Sequence, residues 1–189
     1  MRLQLLYPLM VIVVILGAVG LFSLRYAPDG ETPNDIIFVD IDGTSQRISV
    51  SDIATNCGLA EKSIYDVWLT ATKKYSTLRV YDFIDYMSDI SDISDEEDIY
   101  SINVVFTNIQ GKTVSIPLSN IIEYKDSFLL AVMYGNEELD INFSNNAESG
   151  GPSRLLIDDT NIDFISENYG PEYWEWCIYK ISLVRGPVT

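Results

Sequence analysis

A pair of aspartates, Asp40 and Asp42, follows a short apolar run in the first third of the chain. Two carboxylates this close together could serve as a nucleophile and as a general acid–base, with a divalent cation to hold a phosphate. The second aspartate is followed by Gly43, and an Asp-Gly pair is also a strong signal for a hairpin turn. In that interpretation residues 46–50 form the returning strand. The pair therefore marks either a catalytic site or a turn.

The aspartate pair lies in a recognisable motif. Residues 39–44, Val-Asp-Ile-Asp-Gly-Thr, resemble the first motif of haloacid-dehalogenase-type phosphatases. The resemblance implies that Asp40 is the phosphoryl-accepting nucleophile, that Asp42 is the acid–base and that magnesium is bound. It also implies a parallel sheet with helices on both faces and a late acidic pair, for which Asp158 and Asp159 are the candidates. A phosphatase of this type is the second alternative function.

A second run that could do chemistry is Gly-Gly-Pro-Ser-Arg-Leu-Leu-Ile, residues 150–157. Glycines permit positive φ angles and close backbone approach, and proline stiffens the entry to the segment that follows. Arg154 supplies a guanidinium that can bind a phosphate or pair with a carboxylate. The run therefore suits either a turn that contacts a ligand or a turn held by an internal ion pair.

Residues 150–157 resemble the Gly-x-Pro-x-Arg-Leu stretch of sulfite-oxidase-type molybdopterin-binding domains. Further segments are similar to the same family in order and spacing, from about residue 36 to residue 184. These segments are residues 75–84, 111–118, 129–139 and 174–184. The resemblance implies a mixed, β-rich α+β fold with short helices, and it makes Gly150, Gly151 and Arg154 the expected cofactor contacts.

The molybdenum ligand of that family is a Cys thiolate, because a soft sulfur donor suits the metal. At the corresponding position this chain reads Thr-Ala-Thr-Lys-Lys-Tyr, residues 70–75, without a Cys. Of its two cysteines, Cys57 lies earlier and Cys177 lies in the closing segment. We therefore expect no metal site, no catalytic residue and no bound cofactor, with molybdopterin as the alternative. A molybdenum-cofactor oxidoreductase with an atypical ligand, such as Cys57, is the first alternative function.

Tyr173, Trp174 and Trp176 form an aromatic cluster near the end of the chain. Aromatic rings with a polar edge can serve as a platform for a sugar or another ligand. The same residues can instead pack the core beneath the closing strand. We expect packing.

The composition excludes several classes of chemistry. The chain contains no His, which removes Ser-His-Asp and Cys-His catalysis and His-ligated zinc. Residues 26–189 hold all 28 acidic side chains but only ten basic ones, since Arg2 and Arg25 precede them, and their net charge is −18. This charge repels nucleic acid, so we expect no nucleic-acid partner.

A Ser-Asp-Ile repeat within residues 88–98 is interpreted as a solvated acidic loop rather than a calcium site.

The elements that must position these residues are short. Residues 80–87 place apolar side chains at helical spacing, whereas residues 100–107 and 128–134 have the composition of strands. No regular alternation of strands and helices is present, so we predict an α+β domain rather than an α/β one. A domain of roughly 155 residues needs no metal or disulfide to fold.

Residues 3–24 contain no charged side chain. At ~1.5 Å per residue, a helix of this length reaches ~33 Å, enough to cross the apolar core of a bilayer. A cleaved signal peptide would have a shorter apolar region and a small-x-small cleavage site, which residues 22–27 do not offer. We predict a transmembrane anchor at residues 1–25, a linker at residues 26–34 and an acidic molybdopterin-binding-like domain at residues 35–189.

The orientation of the predicted anchor follows from its flanking charges. Arg2 and the terminal amine precede the span and Arg25 follows it, which leaves a small preference for a cytoplasmic N-terminus. We therefore expect a single-pass protein of the cell membrane with an extracytoplasmic domain.

The predicted function is a binding or scaffold module with a molybdopterin-binding fold and without molybdenum. Its expected partners are the membrane, through the helix, and a protein at the membrane surface.

Overall fold

The computed structural model describes residues 34–88, 90, 96–143, 147–160 and 162–186. The chain divides into two units, Met1–Thr32 and Pro33–Thr189, and the described residues all belong to the second. The predicted anchor, nearly all of the predicted linker and most of the predicted acidic loop lie outside the described residues. Within the described part of the chain, no helix combines the length and the apolar character that a membrane span requires.

The described residues form ten strands and five short α-helices. The strands are β1 (Asp35–Val39), β2 (Ser45–Ser49), β3 (Ala60–Asp66), β4 (Ala71–Arg79), β5 (Ile102–Asn108), β6 (Thr113–Pro117), β7 (Phe128–Tyr134), β8 (Glu137–Glu138), β9 (Arg154–Ile157) and β10 (Ile178–Arg185). The helices are α1 (Val50–Asn56), α2 (Val80–Ser88), α3 (Glu96–Ser101), α4 (Leu118–Glu123) and α5 (Asp163–Asn168), and a 3-10 turn covers Pro171–Tyr173.

The strands form two sheets. The first has the order β2-β1-β10-β5-β6, in which β1 and β10 are parallel and the other pairs are antiparallel. The second has the order β3-β4-β7-β8, and β9 also pairs with β7; all of its pairs are antiparallel. The predicted α+β class, β-rich with short helices, is confirmed. The phosphatase resemblance implied a parallel sheet, whereas among the described strands only β1 and β10 run parallel.

The core lies along the strands at the middle of each sheet. In β5 every second side chain is buried, including Ile102, Val104 and Phe106, as expected for a strand with one face on the core. Residues 128–132 of β7, which pairs with β4, β8 and β9, are buried without interruption, so both faces of the strand are covered there. Such a strand reads as a continuous apolar run.

Helix α2 connects the two sheets. Its apolar side chains recur at helical spacing, and Val80, Phe83, Ile84 and Met87 are buried, so the helix predicted for residues 80–87 is confirmed. The ring of Phe83 meets the ring of Phe38 on β1 edge to face, with 6.0 Å between centroids. The helix also contacts β4 and β7 of the second sheet. Its amphipathic pattern therefore fills the space between the sheets.

Candidate functional site

Arg154, the first residue of β9, lies inside the protein. Its side chain has no exposed surface. Its Nη2 lies 2.9 Å from Asp66 Oδ2, and its Nη1 donates to Tyr75 Oη at 2.6 Å. Burial lowers the pKa of Arg154, and the neighbouring Tyr75 and Asp66 oppose that shift. A buried guanidinium is tolerated here because both of its Nη atoms are partnered, although its buried Nε has no acceptor among the described residues.

Asp66, the last residue of β3, is also fully buried. Its Oδ1 accepts the backbone N–H groups of Trp68 at 3.0 Å and Leu69 at 3.1 Å. Its Oδ2 accepts the hydroxyl of Tyr75 at 2.8 Å as well as the guanidinium of Arg154. Burial raises the pKa of Tyr75 far above its usual range, which keeps the phenol a neutral donor. One carboxylate therefore fixes the turn between β3 and β4 and ties β9 to it.

Gly150 and Gly151 precede Arg154, and packing requires that both lack a side chain. Gly150 has a φ of +96°, and a Cβ there would lie 2.7 Å from Cγ of Arg154. A Cβ on Gly151 would overlap the backbone oxygen of Leu139. The structure thus brings together the three residues that the molybdopterin resemblance assigns to a cofactor, and gives each a packing role. Their contact with a cofactor stays a prediction.

The two cysteines are free thiols. Cys177 is buried directly before β10 and donates to the backbone oxygen of Asn142 at 3.2 Å, and burial raises its pKa to about 12. Cys57 is half-buried at the end of α1, where burial and the nearby Asp82 raise its pKa. A thiol binds a metal as the thiolate, and both shifts favour the protonated form.

This donor set does not fit a molybdenum cofactor. The family that the chain resembles holds the metal with a Cys thiolate, and a pterin phosphate needs cations that are not already paired. The guanidinium of Arg154 is paired internally with Asp66 instead. In the described part of the chain, no group of three or more Cys, Asp or Glu side chains is placed to hold a metal ion.

A cleft of about 270 Å³ opens beside this buried network. Its aromatic walls are Trp68 from the turn between β3 and β4, Phe143, and Trp174 and Trp176 from the segment before β10. Trp68 is 50% exposed and Phe143 is 40% exposed, whereas Trp174 and Trp176 are buried. The predicted packing is confirmed for Trp174, which belongs to the hydrophobic core, and for Tyr173, which packs against it, whereas Trp176 is buried against Arg154. Trp174 and Trp176 also line the cleft. All three tryptophans of the chain therefore lie at this one cleft.

The polar side of the cleft is built around Glu175, which is only 5% exposed. Its Oε1 accepts Asn108 Nδ2 at 2.9 Å, and its Oε2 lies 2.6 Å from Lys112 Nζ. Asn108 Oδ1 in turn accepts the backbone N–H groups of Gln110 and Lys112, both at 2.9 Å, which holds the turn between β5 and β6. The ion pair of Glu175 and Lys112 leaves this side without net charge.

The buried network supports both walls of the cleft. The guanidinium carbon of Arg154 lies 3.7 Å from the centroid of the Trp176 ring, the geometry of a desolvated cation–π contact. Asp66, the ion-pair partner of Arg154, accepts the backbone N–H of Trp68, whose ring forms the other wall. The indole Nε1 of Trp176 is buried and has no acceptor among the described residues. Such a donor costs free energy unless a water or a ligand satisfies it.

Asp40 and Asp42 lie in the turn between β1 and β2. The N–H of Gly43 donates to Asp40 O at 2.9 Å, which closes a β-turn over residues 40–43, and Gly43 has a φ of +86°. Asp42 accepts the backbone N–H and the hydroxyl of Thr44, and these bonds lower its pKa. The predicted hairpin is confirmed. Asp158, from the late acidic pair, instead lies 2.6 Å from Lys62 Nζ.

No local sequence pattern singles out Trp68, Asn108 or Glu175. Their positions in the chain are far apart, and only the fold brings three turns to one cleft. One local feature could have indicated Trp68. It lies in a turn, two residues after Asp66, where strand packing does not require a large aromatic side chain.

Comparison of the chain with models of known protein families gives no match, and comparison with curated proteins gives none at a significant level.

Proposed function

We propose that this protein is a membrane-anchored, extracytoplasmic binding module that uses a sulfite-oxidase-type molybdopterin-binding fold without molybdenum, and that its ligand binds in the Trp68–Trp176 cleft. The observation that carries this proposal is the position of Arg154. Its guanidinium is fully buried, paired with Asp66 and stacked against Trp176. It therefore supports the wall of the cleft and is not available to bind a pterin phosphate.

The order of the elements supports the proposed fold. The Gln110-Gly111 turn joins β5 and β6 where the family has its Asp-Gly hairpin. The Gly-Gly-Pro run leads into β9, and β10 closes the domain. A fold of this kind does not fix a function by itself, so the proposal depends on the residues of the cleft.

The membrane location is supported by the uncharged run of residues 3–24. A tether of this kind keeps a binding domain at the membrane surface, where a protein partner can also be engaged. Protease treatment of intact spheroplasts tests the orientation. We expect loss of the domain without lysis, whereas protection until lysis would contradict an extracytoplasmic location.

Metal analysis of the full chain tests the proposal against an oxidoreductase. The chain is produced in a host that makes molybdenum cofactor, beside a known molybdenum enzyme as the control for cofactor supply, and both are purified in detergent. We expect the control to carry stoichiometric molybdenum and this chain to carry only a trace. One molybdenum per chain, lost in a Cys57→Ser variant, would establish the oxidoreductase alternative instead.

The phosphatase alternative has its own assay. Magnesium-dependent hydrolysis of a phosphate ester that disappears in Asp40→Asn would establish it and contradict a non-catalytic module. We expect no such activity, because Asp42 is held by Thr44 in a hairpin turn.

A further inference from the structure

We propose that the Trp68–Trp176 cleft binds an uncharged saccharide. This inference rests on the proposed binding function and names the class of ligand. The aromatic walls supply the first reason. The C–H faces of a sugar ring pack against flat aromatic rings, and Trp68 and Phe143 both present exposed surface at the cleft.

The charge balance of the cleft supplies the second reason. Glu175 and Lys112 form an ion pair at 2.6 Å, so a ligand meets one carboxylate and one ammonium group that already neutralise each other. An anionic ligand would be repelled by the surrounding acidic domain, with its net charge of −18 over residues 26–189, and a cationic ligand would have to displace Lys112 from Glu175. A neutral ligand meets neither penalty.

The polar groups at the cleft suit hydroxyl ligands. Hydroxyls both donate and accept, and the cleft offers the amide of Gln110 and the partly exposed ammonium of Lys112. The indole N–H of Trp176 has no acceptor among the described residues, but its nitrogen is buried, so Trp176 offers a ligand its ring and not this donor.

The size of the cleft limits the ligand. Its volume of about 270 Å³ lies just below the range of roughly 300–1,000 Å³ typical of small-molecule sites. A cleft of this size accommodates one or two sugar rings, with the rest of a longer chain extending into solvent.

The test is a titration of the full chain in zwitterionic nanodiscs. The neutral panel consists of tetrasaccharides of glucose, mannose and N-acetylglucosamine, and the charged panel consists of choline and glucose 6-phosphate. Because all three tryptophans line the cleft, intrinsic fluorescence reports on it directly, and calorimetry gives the affinity. We expect a neutral tetrasaccharide to bind and the charged panel to leave the fluorescence unchanged.

Variants locate the binding site. Trp68→Ala removes an exposed ring from the cleft and is expected to weaken saccharide binding roughly tenfold or more. Tyr100→Ala is the matched control, because Tyr100 is an exposed aromatic residue on α3 that does not line the cleft, and it should bind like the wild type.

Three outcomes would overturn the inference. Saccharide binding that Trp68→Ala leaves unchanged places the ligand elsewhere. If no saccharide binds but a charged ligand does, and Trp68→Ala abolishes that binding, the ligand class is wrong and the protein is still a binding module. Absence of binding by every saccharide in the panel overturns the saccharide assignment, whereas the proposed function itself fails on stoichiometric molybdenum.

Discussion

The guanidinium of Arg154 and the carboxylate of Asp66 form an ion pair at 2.9 Å, although 88 residues separate them and neither side chain has exposed surface. Asp66 Oδ1 accepts the backbone N–H of Trp68 and so holds the turn that carries it. The guanidinium of Arg154 stacks on the ring of Trp176. The pair therefore connects the interior of the second sheet to both walls of the cleft.

Asp66→Asn should destabilise the protein by about 3 kcal/mol or more, because it leaves a buried guanidinium without a counter-charge. Urea denaturation of the full chain in detergent measures the free energy of unfolding. Asp126→Asn is the matched control, since Asp126 is an exposed partner of Arg79 and the loss should stay below about 1 kcal/mol. Equal losses in the two variants would contradict an internal ion pair.

Gly151→Ala should destabilise the protein by about 3 kcal/mol, because its Cβ would overlap the backbone oxygen of Leu139, which cannot rotate away. Gly111→Ala serves for comparison. Gly111 has a φ of +82° but no atom near its Cβ position, so only backbone strain of about 1–2 kcal/mol is expected. The same urea denaturation compares the two variants. A larger loss of unfolding free energy for Gly111→Ala would contradict the close approach of Gly151 to the backbone oxygen of Leu139.

Cys177 should make stability depend on alkaline pH. Burial raises its pKa from 9.0 to about 12, so the native state holds the thiol proton more tightly than the unfolded state does. The resulting stabilisation is complete below pH 9 and is lost as the pH rises toward 12.

Removing the thiol isolates that contribution. The free energy of unfolding of the wild type should fall more steeply between pH 8 and pH 10.5 than that of Cys177→Ala, by up to about 1.4 kcal/mol per pH unit above the ordinary thiol pKa. Ile181→Val, another buried substitution in the same region, should follow the slope of the wild type. Parallel slopes for all three proteins would exclude a buried, protonated thiol.

Lys112→Met should destabilise the protein by about 1–2 kcal/mol, because Glu175 is almost fully buried and loses its counter-charge. Lys74→Met removes a lysine from an exposed pair with Glu61, and its effect should remain below about 1 kcal/mol. Thermal unfolding of both variants at neutral pH measures the difference. An unchanged stability of Lys112→Met would mean that the buried carboxylate of Glu175 does not need the lysine as its counter-charge.

Local chemistry made parts of the fold predictable. The Asp42-Gly43 turn follows from the tolerance of glycine for positive φ, and helix α2 follows from the spacing of Val80, Phe83, Ile84 and Met87. Helix α1 begins at a strand–helix junction. The side chain of Ser49 caps the helix by accepting the N–H of Asp52, because β2 runs directly into α1.

The candidate site was less predictable, because its contacts join distant parts of the chain. The residues around Arg154 indicated either a ligand contact or an internal ion pair, and no local pattern identified Asp66 as the partner among 28 acidic residues. The aromatic pair Trp174 and Trp176 was visible in the sequence, but the cleft also needs Trp68, which only the pairing of β3 with β4 brings near.

The most direct measurement is the NMR spectrum of the full chain with ¹⁵N-labelled tryptophan in nanodiscs, recorded during titration with a neutral tetrasaccharide that calorimetry shows to bind. Each of the three indole N–H groups belongs to a residue that lines the cleft. We expect the Trp68 and Trp176 signals to shift together and to saturate with the calorimetric affinity. Saturating saccharide that leaves all three indole signals in place would contradict binding in this cleft.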